Sequence, residues 1–266
     1  MKNLNLDIKA ATILTAMKNN ITATVLAIFC SFGTAVGQED AREVVRKADE
    51  KRRGSTARTS MTITIVRPTW SREMIVKSWS KDTDYSLILI TSPARDKGTV
   101  FLKRKKEIWN WVPSIERNIK LPPSMMMQSW MGSDFTNDDL IKESSIVDDY
   151  THRIVGDSVI MDRETYKIEL IPKPEAPVVW GKIYSWISKT DYLELRTEMY
   201  DEDGYLVNEV RFASIRSLGG RMLPAIMEYI PVDEEGNKTV IEYHDVEYDI
   251  PVTESFFSMQ NMKRVK

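Results

Sequence analysis

The chain contains one cysteine, Cys30, and two histidines, His152 and His244. So little thiol and imidazole excludes a disulfide framework and a Cys/His metal site. The histidines lie far apart in sequence, and neither has a metal-ligand neighbour at helical spacing. HExxH, Gly-x-Ser-x-Gly, phosphate-cradling and dinucleotide-binding glycine motifs are all missing. His244-Asp245 could orient a general base, but on a strand those two side chains point to opposite faces. Asp134, Asp138 and Asp139 are simpler as helix caps and dipole partners than as cation ligands. Positive charge is not in excess either, the net charge being −2, so nucleic acid is a poor partner. No enzyme activity, cofactor or metal is expected. Fixed-period repeats and low-complexity tracts are also absent.

Long apolar runs are lacking except in one place. Ile21 to Val36 follows Lys18 and ends in small residues, the layout of a secretory signal. Ala35-Val36-Gly37 places cleavage before Gln38, so residues 1–37 are expected to be a leader and 38–266 a single domain. Met17-Lys18-Asn19-Asn20 is a second possible start. An uncleaved anchor ranks below cleavage because Gly33, Thr34 and Gly37 interrupt the run and no basic stop follows. Cys30 falls inside the run after Ile28-Phe29, which argues against lipidation. Losing Lys2, Lys9, Lys18 and Asp7 would move the net charge from −2 to about −4.

After Gln38 the pattern is mostly that of strands. Glu39 to Lys51 reads as a short helix, with Ala41, Val44, Val45 and Ala48 on one side. Beyond Gly54 the period changes to two, starting with Met61, Ile63 and Ile65. Strands are expected over 73–80, 85–91, 99–103 and 108–112, then from Tyr150 to Tyr248 in a second series. Asp203-Gly204, Gly219-Gly220 and Gly236-Asn237 supply turns. About eleven strands with so few helices must close or curl around something, since a flat sheet would expose its edges and one apolar face.

Pro113 to Asp149 breaks this pattern. Ser124 is placed to cap a helix carrying Met125, Met126 and Met127, and Asn137 to cap another carrying Asp138, Asp139, Leu140 and Ile141. With Trp130 and Met131, the methionines make a soft, polarizable surface able to repack around guests of varied shape. Equally, they could plug the open end of a curved sheet as ordinary core.

Ile108-Trp109-Asn110-Trp111-Val112-Pro113, Arg117 to Leu121, the Met-rich run, Met131-Gly132-Ser133-Asp134-Phe135 and Asp138-Asp139-Leu140 together resemble the LolA-like outer-membrane lipoprotein-sorting proteins, in their transporter-associated branch. The order of helix, meander and later strands around Trp180–Ser188 and Glu194–Tyr200 extends the resemblance over nearly all of residues 38–266. It implies a mainly β, LolA/LolB-like fold: a half-open antiparallel barrel wrapped on a helical lid over an apolar cavity for acyl chains. It also implies a non-enzymatic periplasmic carrier, or chaperone, for lipid or lipoprotein acyl chains bound for the outer membrane. The implied partners are an inner-membrane transporter of ABC or RND/MMPL type and an outer-membrane acceptor; the alternative is an accessory or docking subunit of such an exporter. In this family an arginine inside the barrel ties down the lid, and Arg72, on a strand with apolar neighbours, is the candidate.

Cavity contacts are expected from Leu87, Leu89, Val100, Leu102, Trp109 and Trp111, which precede the lid directly. From the lid itself they are expected from Met125, Met126, Met127, Trp130, Met131, Phe135 and Leu140. Trp186 and Trp180 read better as plain core.

Overall fold

Alternation of apolar and polar residues becomes strand along most of the chain. A computed structural model describes residues 40–105, 107–141, 145–174, 176 and 178–266. The leader expected over 1–37 lies outside them. Helix α1 (Ala41–Arg53) starts at Asp40, whose carboxylate accepts from the Arg42 N–H, and its Ala41, Val44 and Val45 are buried. Thirteen strands follow: β1 (Thr56–Arg67), β2 (Trp70–Lys81), β3 (Tyr85–Ser92), β4 (Val100–Arg104), β5 (Glu107–Val112), β6 (Arg117–Lys120), β7 (Tyr150–Ile160), β8 (Arg163–Pro172), β9 (Lys182–Ser188), β10 (Glu194–Tyr200), β11 (Leu206–Leu218), β12 (Arg221–Pro231) and β13 (Lys238–Tyr248). The described residues also form short helices α2 (Asn137–Ile141) and α3 (Met259–Met262) and 3-10 turns at Pro113–Ile115, Pro123–Met125 and Glu254–Phe256.

All thirteen strands form one sheet in the order β6-β5-β4-β3-β2-β1-β13-β12-β11-β10-β9-β8-β7. Every neighbour but one is also a sequence neighbour, so two meanders are joined where β1 pairs antiparallel with β13, for example Ile63 with Ile241. The sheet is open, with β6 and β7 at its edges, and the chain between those edges is the segment from Leu121 to Asp149. Gly219-Gly220 turns β11 into β12 with both residues at positive φ, and a Cβ at Gly219 would sit 2.5 Å from the Val246 carbonyl oxygen.

The sheet has thirteen strands against the roughly eleven expected. The strand that no expected segment covers is β6, four residues of mixed polarity that are mostly exposed and show no alternation.

Both faces of the β3–β4 region are covered. Ile63, Ile65, Met74, Val76, Ile88, Ile90 and Phe101 point to the concave face, where the main core joins them to Trp130, Phe135, Ile168, Leu170, Phe212 and Ile241. Leu87, Leu89, Val100 and Leu102 point the other way, into a separate cluster with Tyr85, Phe257 and Met262. That second cluster is closed by the C-terminal tail. Tyr85 donates to Glu254 at 2.8 Å, and Phe256 and Phe257 pack on Trp79 and Tyr85. Among the described residues no helix is long and apolar enough to cross a membrane.

Candidate functional site

Residues 121–141 lie over the concave face, and their sequence explains their shape. Pro123–Met125 forms a single 3-10 turn, not the helix expected from Ser124. Two features stop a helix from forming. Met131 and Gly132 both have positive φ. The carbonyls of Met126 and Gln128, which a helix would use internally, accept instead from the Asp138 and Asn137 N–H groups at 3.1 and 2.9 Å, and the Met125 carbonyl, besides a turn bond from the Gln128 N–H, accepts from the Asn137 side chain at 2.9 Å.

From Ser129 to Thr136 the chain closes on itself. The Trp130 N–H donates to the Phe135 carbonyl at 3.0 Å, and the Ser133 hydroxyl donates to the Trp130 carbonyl at 2.7 Å. Helix α2 is capped by Thr136, not by Asn137. The Asp139 N–H donates to the Thr136 hydroxyl at 3.0 Å while the Asp139 carboxylate accepts from the Thr136 N–H at 2.9 Å, a reciprocal capping box.

Two arginines fasten this loop to the sheet. Arg72 on β2 donates to the Met131 carbonyl at 2.9 Å, so the residue singled out from the sequence does reach the segment. Arg67, at the end of β1, makes the fuller attachment. It pairs with Asp134 at 2.9 Å and donates to the Gly132 carbonyl at 2.9 Å, and Asp134 also accepts from Thr239 on β13 at 2.6 Å. The Asp134 side chain is only 4% exposed, which makes this a largely desolvated pair. Nothing in the sequence marked Arg67, since a basic residue ahead of Pro68 at a hairpin reads as surface.

Beneath the loop lies a cavity of about 350 Å³, near the lower end of the roughly 300–1,000 Å³ typical of ligand pockets. Its apolar wall comes from Ile63, Ile88, Phe135, Trp180, Ile183, Met199, Val210, Phe212, Tyr229, Ile241 and Val246. Hydroxyls and charges, including Thr59, Ser78, Ser80, Arg52, Lys103 and Glu194, line the rest. Phe135 is the loop's main contribution, stacked on Trp130 at 5.4 Å and edge-on to Tyr229 at 5.7 Å. Burial drives the Tyr229 hydroxyl well above its ordinary pKa, so it stays a neutral phenol.

The sequence-selected residues scatter over three places. Among those whose side chains are described, Phe135 alone lines the cavity. Trp130 is fully buried against Phe101 and Phe135, and Met131 packs on the same core, so both form the backing of the wall. Met126 sits with Ile108 and Leu121 in a small separate cluster, Met125 is half-buried and Met127 is exposed. The Leu140 side chain lies outside the described residues. Leu87, Leu89, Val100, Leu102, Trp109 and Trp111 do not line the cavity, because all six belong to the cluster on the opposite face beneath the tail. Leu87-Ile88-Leu89-Ile90 is apolar on both faces, so alternation alone does not say which set turns inward. Trp180, read from sequence as plain core, lines the cavity and donates to Asp139 at 3.2 Å. Trp186 is buried elsewhere, between Lys167 and Arg196.

The two histidines are structural in their contacts. His152 hydrogen-bonds the Ile146 carbonyl at 2.8 Å and His244 the Thr62 hydroxyl at 2.6 Å. No group of three or more His, Cys, Asp or Glu able to hold a metal occurs among the described residues.

A family model described only as that of an uncharacterized protein matches residues 82–264. No curated protein matches the chain. Solved structures do. A DUF1329 family protein from Desulfovibrio piger shares 22% identity at a TM-score of 0.75, covering 84% of this chain and 97% of its own. A LolA superfamily protein from Nitrosomonas europaea shares 22% identity at a TM-score of 0.73, covering 84% and 100%. A domain from Vibrio parahaemolyticus assigned to outer-membrane lipoprotein sorting shares 20% identity at a TM-score of 0.74, covering 84% and 98%. At such identities the likeness shows the fold.

Proposed function

The chain belongs to the family whose model matches residues 82–264 and has the LolA-type fold, and from that premise we propose that it is a non-enzymatic carrier of an acyl chain in the bacterial envelope. The observation that supports this most is the apolar cavity between the concave face and the 121–149 loop. A core packed for stability alone leaves few voids larger than a water molecule. Here Phe135, Phe212, Tyr229 and Ile241 instead border about 350 Å³ of space.

Burial contributes about 0.8 kcal/mol per methylene, so one chain is held with moderate strength and is released without coupled hydrolysis. The volume suits one acyl chain better than the two or three of a full lipoprotein anchor. The leader read over residues 1–37 supports export to the periplasm, and the fold supports cargo moving between an inner-membrane transporter and an outer-membrane acceptor. Arg67 and Arg72 would then act as latches whose contacts to Asp134, Gly132 and Met131 break when the loop lifts to admit cargo.

Titrating the purified protein with a fluorescent acyl probe tests this reading. Saturable binding that is lost in Phe212→Lys, with the circular dichroism spectrum of the sheet retained, is the expected outcome. Unchanged binding in that variant would place the guest elsewhere.

A further inference from the structure

Helix α1 carries an apolar stripe, Ala41, Val44, Val45 and Ala48, at three- and four-residue spacing along the face that meets the sheet. The next position on that stripe is Arg52. Its neighbours in the last turn are committed: Lys51 donates to the Asp191 carbonyl at 2.6 Å, and Arg53 binds Asp49 through two nitrogens at 2.8 and 3.2 Å. Among the described residues the Arg52 guanidinium makes no hydrogen bond, and its one ion-pair contact is Asp49 at 3.9 Å. It lines the cavity, and 36% of the side chain is accessible. Burial opposes its charge, yet the fields of Glu194 and Asp49 hold its pKa above the ordinary value.

A guanidinium on the inward face of a helix, partly covered and with its donors unspent, is free to receive a polar guest in the space it faces. The sheet opposite is suited to a polar group. Along it Ala57 pairs with Ser80, Ser80 with Ser86 and Ser86 with Lys103, and Thr59 pairs with Ser78 in the row below. All six line the cavity, and further in the lining becomes Ile63, Phe212 and Ile241. One end is therefore hydroxyl-rich and charged, with Arg52 and Lys103 beside Asp82 and Glu194, and the other is apolar.

We infer that the cavity takes an anionic amphiphile, whose carboxylate or phosphate is received by the Arg52 guanidinium while its chain lies over the apolar wall. Guanidinium suits both heads, because its planar fork donates two parallel hydrogen bonds to either. Glu194 lies close enough to oppose the anion without pairing to Arg52, and so sets how strongly the head is preferred. This inference rests on the carrier reading and narrows it to a ligand class.

Titration of the purified protein with cis-parinaric acid and with its methyl ester compares a charged and a neutral head on one chain. The acid is expected to bind about tenfold more tightly, the scale of one hydrogen bond to a charged group. Arg52→Met should abolish that preference and keep the affinity for the ester, which also shows that the variant is folded. Glu194→Gln, which leaves Arg52 in place, should widen the preference. Stronger displacement of the bound acid by dodecanoate than by dodecyl phosphate assigns a carboxylate head, and the reverse assigns a phosphate. Equal affinity for acid and ester in the unaltered protein, or an undiminished preference in Arg52→Met, overturns the anion site and leaves the carrier reading standing. Binding of neither probe overturns both.

Discussion

Arg67 and Asp134 show how much a single pair does for this structure. Asp134 is nearly buried and accepts from both Arg67 and Thr239, so one carboxylate fixes the loop to β1 and β13 together. Removing one partner of a buried pair leaves the other uncompensated. Asp134→Ala should therefore lower stability by about 3 kcal/mol and raise hydrogen exchange selectively in segment 121–149. An exchange pattern raised evenly over the sheet would mean that the pair does not hold the loop in particular. His152 gives a second expectation. Burial lowers its pKa despite the hydrogen bond to Ile146, so the folded protein holds it neutral while the unfolded chain takes up the proton first. Its cost is absent above roughly pH 6.5 and grows as pH falls through that value. Denaturant unfolding should show stability dropping between pH 7 and 5, and His152→Gln should flatten that slope; an equal slope in the variant would assign the drop to other groups.

At the level of elements, the strands, helix α1 and the turns at Gly204, Gly219-Gly220 and Gly236 were legible because period and turn chemistry agreed. The Met-rich stretch was legible as an interruption but not in its form. Its loop is fixed by backbone bonds to Asn137 and Asp138 and by positive φ at Met131 and Gly132, which local propensity does not report. The inward face of β3 and β4 was not legible at all. Both of its faces are apolar, and the choice is made by a tail more than a hundred residues away, whose Phe256, Phe257 and Met262 cover Leu87, Leu89 and Leu102. The tail is thus a structural cover. Phe257, fully buried, should cost about 3–5 kcal/mol when replaced by alanine, measured by urea unfolding. Trp109→Lys, on that same face, should leave acyl-probe binding intact; its loss would mean that the outer cluster and the cavity are coupled.

For the molecule as a whole, the LolA-like fold was legible from the order of elements around the Gly132-Ser133-Asp134-Phe135 stretch, and the structure shows what that stretch does. Gly132 permits the turn, Ser133 closes it, Asp134 fastens it and Phe135 enters the cavity wall. The rest of the wall was hidden because Phe212, Tyr229 and Ile241 come from strands of the second meander, and only the pairing of β1 with β13 brings them opposite the loop. An open sheet curled round a space of about 350 Å³ has a physical purpose if that space is shared with a guest. The central claim is therefore that the cavity carries an acyl chain. It is tested most directly by native mass spectrometry of the protein purified from its own envelope, with lipids extracted and identified from the same sample. A bound acyl species, displaced in Phe212→Lys, is the expected result. A clean unliganded mass together with no binding of an acyl probe would contradict the carrier and leave a β scaffold for docking other proteins.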